Sequence, residues 1–225
     1  RFLALSGRNK ERLETVARAC RAFGAKVEAI PVDVTERAAC GRWIAETDAR
    51  HPLDLVIANA GTSSGSGGRG ESEDQARDIF YVNMAGVLNT VWPVIGPMRQ
   101  RGRGQIAIVS SIAAFRGLPG APAYAASKAA VKNYGEGLRG WLAAYSIQVS
   151  VVCPGFVRTR MTENNIYPMP FIMDAAKAAR IIRLGLQRNK ARIAFPWPMY
   201  ALAWLMGALP PGWTDRLFRK LPKKD

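Results

Sequence analysis

With 225 residues, 48% hydrophobic and 22% charged, the chain can bury one substantial core and reads as a single soluble domain, 1–225, with no linker to divide it. Its 32 Lys and Arg against 17 Asp and Glu give a net charge of +15, and ten of the basic residues lie between 180 and 225 against two Asp. Cys20, Cys40 and Cys153 are far apart, odd in number and form no C-x-x-C pair, which argues against a disulfide framework or a metal site and fits a reducing, cytoplasmic compartment.

The elements alternate along the chain. "FLALS" (2–6) predicts a strand, and "RNKERLETVARACRAFG" a helix with Leu13, Val16, Ala17 and Cys20 on one face, stopping at Gly24. "KVEAIPVDV" is the next strand, then "TERAACGRWIAETDAR" a helix with Thr35 as N-cap. "LDLVIANAG" is continuously apolar, as a strand covered on both faces should be. After the Gly/Ser loop 61–70 come a long helix from about Glu73 to Arg101 and the strand "GQIAIVS". A helix from about Ala123 to Tyr145, the strand "IQVSVVCP", an irregular stretch to Met173, a helix to about Arg188 and the strand "ARIAF" complete the pattern. Strands separated by helices predict right-handed crossovers, hence a doubly wound, Rossmann-like α/β fold with a parallel sheet and helices on both faces. Ligands in such sheets bind at the carboxyl ends of strands. Asp33, Asn59 to Gly61, Ser110 with Ser111, and Pro154 with Gly155 all stand at such ends.

In "SSIAAFRGLPGAPAYAASKAAV" (110–131), Tyr124 and Lys128 are at i and i+4 and share a helix face. A phenol with a pKa near ~10 is too weak a base at neutral pH, but a nearby ammonium favours the phenolate, so Tyr124 beside Lys128 can act as general acid/base. Ser111 is placed to hydrogen-bond the same substrate oxygen, while Ser110 should point the other way. The pair alone is also compatible with an ordinary surface contact.

The wider constellation resembles the short-chain dehydrogenase/reductase family over nearly the whole chain. "GRNKERLE" after a strand, "DVT", "ANAG", "VNMAG", "SS" thirteen residues before "YAASK", and "CPGFVRT" occur in that family's order. The resemblance implies a nicotinamide-dependent oxidoreductase acting on a small molecule. Tyr124 would be its acid/base, Lys128 would hold the nicotinamide ribose, Ser111 would orient the substrate, and Asn83 would support a water-linked proton path. Asn59, Ala60 and Gly61 would lie against the cofactor, with Asp33 and Val34 at the adenine, and Pro154, Gly155, Val157 and Thr159 toward the nicotinamide. Ala58, where the family more often has asparagine, is a mild departure. The alternative is a catalytically idle nucleotide-binding or membrane-associated scaffold.

Arg8 stands at the end of the first strand, where an acidic residue selects NAD and a basic one can pair with a 2′-phosphate, so NADP is favoured over NAD. The family's opening strand and Thr-Gly-x-x-x-Gly-x-Gly turn, which hold the pyrophosphate, do not occur in these 225 residues. They are expected on roughly thirty further residues ahead of Arg1, about one βα unit.

"MTENNIYPMPFIM" (161–173) corresponds to the substrate-covering loop, and its Met161, Ile166, Tyr167, Met169, Phe171, Ile172 and Met173 favour an apolar or lipid-like substrate. The segment 197–225 joins tryptophans and leucines to basic residues; it fits either peripheral contact with an anionic membrane or packing in a homo-oligomer, a dimer or tetramer. No stretch is long and unbroken enough to predict a transmembrane span, and no motif supports nucleic-acid binding.

Overall fold

Strand and helix alternate through the computed structural model of the protein, which describes residues 1–63, 70–163 and 168–218. β1 (Phe2–Ser6) leads to α1 (Lys10–Ala22), β2 (Lys26–Ile30), α2 (Arg37–Arg50) and β3 (Leu55–Ala58). Then come α3 (Glu73–Phe80), a π-helical turn (Tyr81–Ala85) and α4 (Gly86–Arg101), followed by β4 (Gly104–Val109). A 3₁₀ turn (Ile112–Phe115), α5 (Pro122–Ala143), β5 (Ile147–Pro154), α6 (Arg160–Glu163), α7 (Ala175–Gln187) and β6 (Arg192–Phe195) precede two C-terminal helices, α8 (Trp197–Ala208) and α9 (Pro211–Phe218).

All strand pairings between these elements are parallel, but the strands form two sheets, β1–β2 and β3–β4–β5–β6. Among the described residues, β1 has β2 alone as strand partner and β3 has β4 alone. β4 and β5 sit in the middle of the larger sheet and are the most apolar. Ile106, Ile108, Val149, Val151 and Val152 are essentially inaccessible, each such burial contributing about 1.5–3 kcal/mol. β3 corrects the sequence expectation of a strand covered on both faces. Val56 and Ala58 are buried, but Leu55 is 39% and Ile57 47% exposed, so the strand alternates like one with a single packed face.

The helix from Glu73 to Arg101 is continuous, as its pattern predicts, and is apolar enough by length and composition to cross a membrane. It is a core helix instead: Ile79, Val87, Val91, Val94, Ile95 and Met98 are buried, most of them in the main core beside β3 and β4. It ends at Gly102, whose φ of +63° suits a residue without a side chain. The expected N-cap Thr35 is not the cap of α2. Its N–H and hydroxyl both donate to Asp33 Oδ1, at 2.9 and 2.7 Å, closing a turn at the end of the β2 segment, and Glu36 opens the helix without a side-chain cap.

Candidate active site

β4 delivers the serine pair. Ser110 Oγ donates to the Lys128 carbonyl at 2.7 Å and thereby ties the sheet to α5. Ser111, in extended backbone, turns the other way; its Oγ accepts the Ala113 N–H at 3.1 Å and lies 3.5 Å from the Pro154 carbonyl at the end of β5.

α5 begins with Pro122 in its first turn, behind an N-cap, Ala121, that has no side chain able to cap. Glu71 does this from the preceding loop. Its Oε2 accepts the Ala123 N–H at 2.6 Å and its Oε1 the Tyr124 N–H at 3.2 Å, putting negative charge at the positive end of the helix. The sequence reading missed Glu71 because its partners are more than fifty residues away and no local motif marks it.

Tyr124 and Lys128 share a helix face as their spacing predicts, with Lys128 Nζ 5.9 Å from the Tyr124 ring centre. The electrostatics differ from the expectation. Burial pushes the Tyr124 hydroxyl above its ordinary value, and a hydrogen bond with Ser111 partly opposes the shift. The ammonium does not set this balance, because Lys128 Nζ turns to the Val109 carbonyl at 3.0 Å. Burial pulls Lys128 itself down to about 8. The phenol is therefore held protonated beside a lysine whose charge is only loosely retained.

Asn83 is fully buried in the π-helical turn, a widening that often marks functional positions and that no residue pattern announced. Its Oδ1 accepts the Thr62 N–H at 2.7 Å; its Nδ2 donates to the Thr62 carbonyl at 3.0 Å and to Ser127 Oγ at 2.9 Å. Ser127, which the sequence reading passed over, donates in turn to the Tyr124 carbonyl at 2.8 Å. Gly61 closes the group: a β-carbon there would lie 3.1 Å from Lys128 Nζ and 3.2 Å from Asn83 Oδ1.

The remaining expected cofactor residues fall into three places. Arg8 and Asp33 lie together, with Arg8 Nη1 3.8 Å from Asp33 Oδ2 and the Arg8 side chain largely exposed. The hydrogen bonds from Thr35 hold the Asp33 carboxyl below its ordinary range, with Arg8 adding to the effect. Val34 is fixed from α4, where Asn89 Nδ2 donates to its carbonyl at 2.8 Å and Gly86 leaves room for its side chain. Asn89 was also missed, since a polar residue within an apolar helix gives no hint of its partner. Asn59 and Ala60 follow β3 on the surface. Pro154 and Gly155 end β5 beside Ser111, where a β-carbon on Gly155 would press on Pro196 and Ile112. Val157 and Thr159 serve the loop itself: Val157 bridges to Met173, and both are bonded by Thr162. Of the apolar loop set, Met161 and Phe171 are exposed and Met173 is buried in the second core cluster, while Ile166 and Tyr167 lie outside the described residues.

The family model for short chain dehydrogenases matches residues 2–168, which contain every catalytic and cofactor-binding residue expected from the sequence. The chain belongs to the short-chain dehydrogenase family. It is 35% identical over 217 residues to an uncharacterized oxidoreductase of Myxococcus xanthus, covering 96% of this chain and 86% of the relative. A cyclopentanol dehydrogenase of a Comamonas species is 34% identical over 182 residues, or 79% of this chain and 69% of that enzyme. The fold is that of a short-chain dehydrogenase from Sphingobium yanoikuyae in complex with NADPH, with a TM-score of 0.80 at 22% identity over 100% of this chain and 88% of that one. The protein is thus an oxidoreductase of the short-chain dehydrogenase family, acting on CH–OH with NAD(P), on a Rossmann-like α/β scaffold.

The residues present fit a nicotinamide dinucleotide. Lys128 carries three donors and, among the described residues, uses one, on Val109, leaving donor capacity at the Gly61 edge for ribose hydroxyls. Arg8, held at 3.8 Å and largely exposed, is free to turn its guanidinium to a phosphate.

Proposed function

We propose that the protein is an NADP(H)-dependent oxidoreductase that interconverts a secondary alcohol and a ketone on an apolar or lipid-like substrate. The observation that carries this reading is the convergence of Ser111, Tyr124, Lys128 and Asn83 about Gly61 and the β4 and β5 ends. Bound nicotinamide supplies or accepts the hydride. In reduction, Tyr124, kept protonated by burial, gives its proton to the carbonyl oxygen, and the Ser111 hydroxyl donates a hydrogen bond to the same oxygen as charge develops. In oxidation Tyr124 takes the alcohol proton, and the hydrogen bond with Ser111 offsets part of the desolvation that disfavours the phenolate. The Asn83 side chain is spent on Thr62 and Ser127, so its part in a proton path passes to its backbone within the π-helical turn.

Arg8 supports NADP over NAD, since a guanidinium pairs with a 2′-phosphate and Asp33, the acid beside it, is already engaged by Thr35. Exposed Met161 and Phe171 and the named activity of the Comamonas relative, whose alcohol is secondary and apolar, support the substrate class. Exposed Leu88, Trp92 and Trp141 on the outer faces of α4 and α5, with the two indoles 6.0 Å apart, support self-association through those faces, and three cysteines without a disulfide support a cytoplasmic location. The test is NADPH absorbance against ketones of rising chain length, including cyclic ones. Turnover that improves with apolar size is expected; NADPH binding with turnover confined to charged or polyhydroxylated substrates would refute the substrate class, and no nicotinamide turnover with any would refute the activity.

A further inference from the structure

From Ile193 to Thr214 the chain carries no Asp, Glu, Lys or Arg, a stretch of 22 residues that includes all of α8. No residue of α8 is buried. On a helical wheel Trp197, Ala201, Leu202, Trp204 and Leu205 share one broad arc, and the four large ones are exposed: Trp197 at 73%, Leu202 at 58%, Trp204 at 53% and Leu205 at 47%. Trp213 of α9 adds a further exposed indole, at 77%. The opposite arc of α8 grips the body. Tyr200 makes an edge-to-face contact with Phe115 and accepts from Arg192 at 3.1 Å, while Gly207 lies so close to the Phe115 carbonyl that a β-carbon would collide with it. Arg116 fastens α9 through Thr214 Oγ1 at 3.2 Å and Asp215 Oδ1 at 2.9 Å.

A helix apolar on all sides belongs in a core or in lipid, and this one has a fixed inner side and an uncovered outer one. Directly after Asp215, which Arg116 neutralises, residues 216–225 carry five Lys/Arg and one Asp. An indole-rich apolar face next to a basic run is complementary to an anionic bilayer, where the indoles sit at headgroup level and the cations meet lipid phosphates. A second copy is the poorer occupant, because a chain of net charge +15 repels its like and is drawn to an anionic surface. We propose that α8 and α9 dock the protein on the surface of an anionic phospholipid membrane, lying in the interface without spanning it. The docking helices are attached through Phe115 and Arg116 to the segment between Ser111 and Tyr124, so α8 and α9 lie between the lipid surface and the active-site segment. The inference does not depend on the NADP or substrate reading.

The test is co-sedimentation of the full chain with phosphatidylcholine vesicles, with and without roughly a third phosphatidylglycerol, at low and high salt. Binding to the anionic vesicles is expected to exceed binding to phosphatidylcholine alone by about tenfold and to weaken with salt. Trp204→Ser combined with Leu205→Ser should lose about tenfold or more, with circular dichroism unchanged because both side chains are exposed. Lys220→Gln, Lys223→Gln and Lys224→Gln together should abolish the anionic preference. Absence of binding, equal binding to both vesicle types, or a Trp204/Leu205 variant that binds as wild type would overturn the proposal. So would a wild-type oligomer, measured without lipid, that this variant splits into monomers.

Discussion

Lys128 Nζ and Asn83 Oδ1 converge on one point above Gly61, 3.1 and 3.2 Å from where a β-carbon would stand. One comes from α5, the other from the π-helical turn ahead of α4, and the absence of a side chain at 61 lets them meet.

Gly61→Ala tests that meeting. The added methyl must push the ammonium or the amide by a few tenths of an ångström, and Asn83 is pinned by Thr62 and Ser127. Lys128 should move, weakening NADPH binding and lowering kcat by about tenfold, because small displacements of positioned groups are costly. Fluorescence titration and steady-state rates check this; unchanged values would show that the convergence is not used.

Arg8→Ser should raise KM for NADP by about 10- to 100-fold, the worth of a charge-assisted hydrogen bond to phosphate, and leave KM for NAD within about twofold. Equal loss with both dinucleotides would show that Arg8 does not read the phosphate.

Glu71→Ala leaves the first N–H groups of α5 without their carboxylate. A cost of about 1–2 kcal/mol is expected, lowering Tm by about 2–8 °C, with a fall in kcat as Tyr124 loses its anchor. Calorimetry and initial rates measure the two effects; Glu71→Gln, which keeps an acceptor, should recover part of both.

Most of the architecture was legible, because the strands and helices carry strong apolar periodicity and each strand end bears a small or polar residue. Tyr124, Lys128 and Ser111 were legible for the same reason: a fixed spacing on one helix and the alternation of one strand bring them together. What escaped reading is what two distant segments make jointly. The π-helical turn at Asn83 is stabilised by Thr62, 21 residues away, the cap of α5 comes from Glu71, and Asn89 reaches back 55 residues to Val34. Periodicity records which face of an element is apolar; it does not record which polar group will meet it. The direction of the Tyr124 shift is not legible in an i, i+4 spacing, because the burial of the phenol and the bond of Lys128 to Val109 are made by the fold.

Lys128 also gives the fold a pH dependence. Its folded value, about 8, lies below its unfolded value of 10.5, so the unfolded chain binds more protons between the two and stability from this group rises with pH across that window. Below about pH 8 the full penalty of a buried ammonium is present, on the order of 3 kcal/mol. Lys128→Met removes it. Chemical denaturation without cofactor should therefore find the variant more stable than wild type at pH 7 and the gap narrowing toward pH 10; a gap that is flat or widens would contradict this.

The central claim is that Tyr124 moves the proton while the hydride passes. Its most direct test is Tyr124→Phe, with NADPH affinity by fluorescence and turnover of the best ketone measured on the same preparation. Affinity within about threefold of wild type with turnover reduced by about 10²- to 10⁴-fold is the result this account predicts. Turnover that survives the loss of the hydroxyl would contradict it.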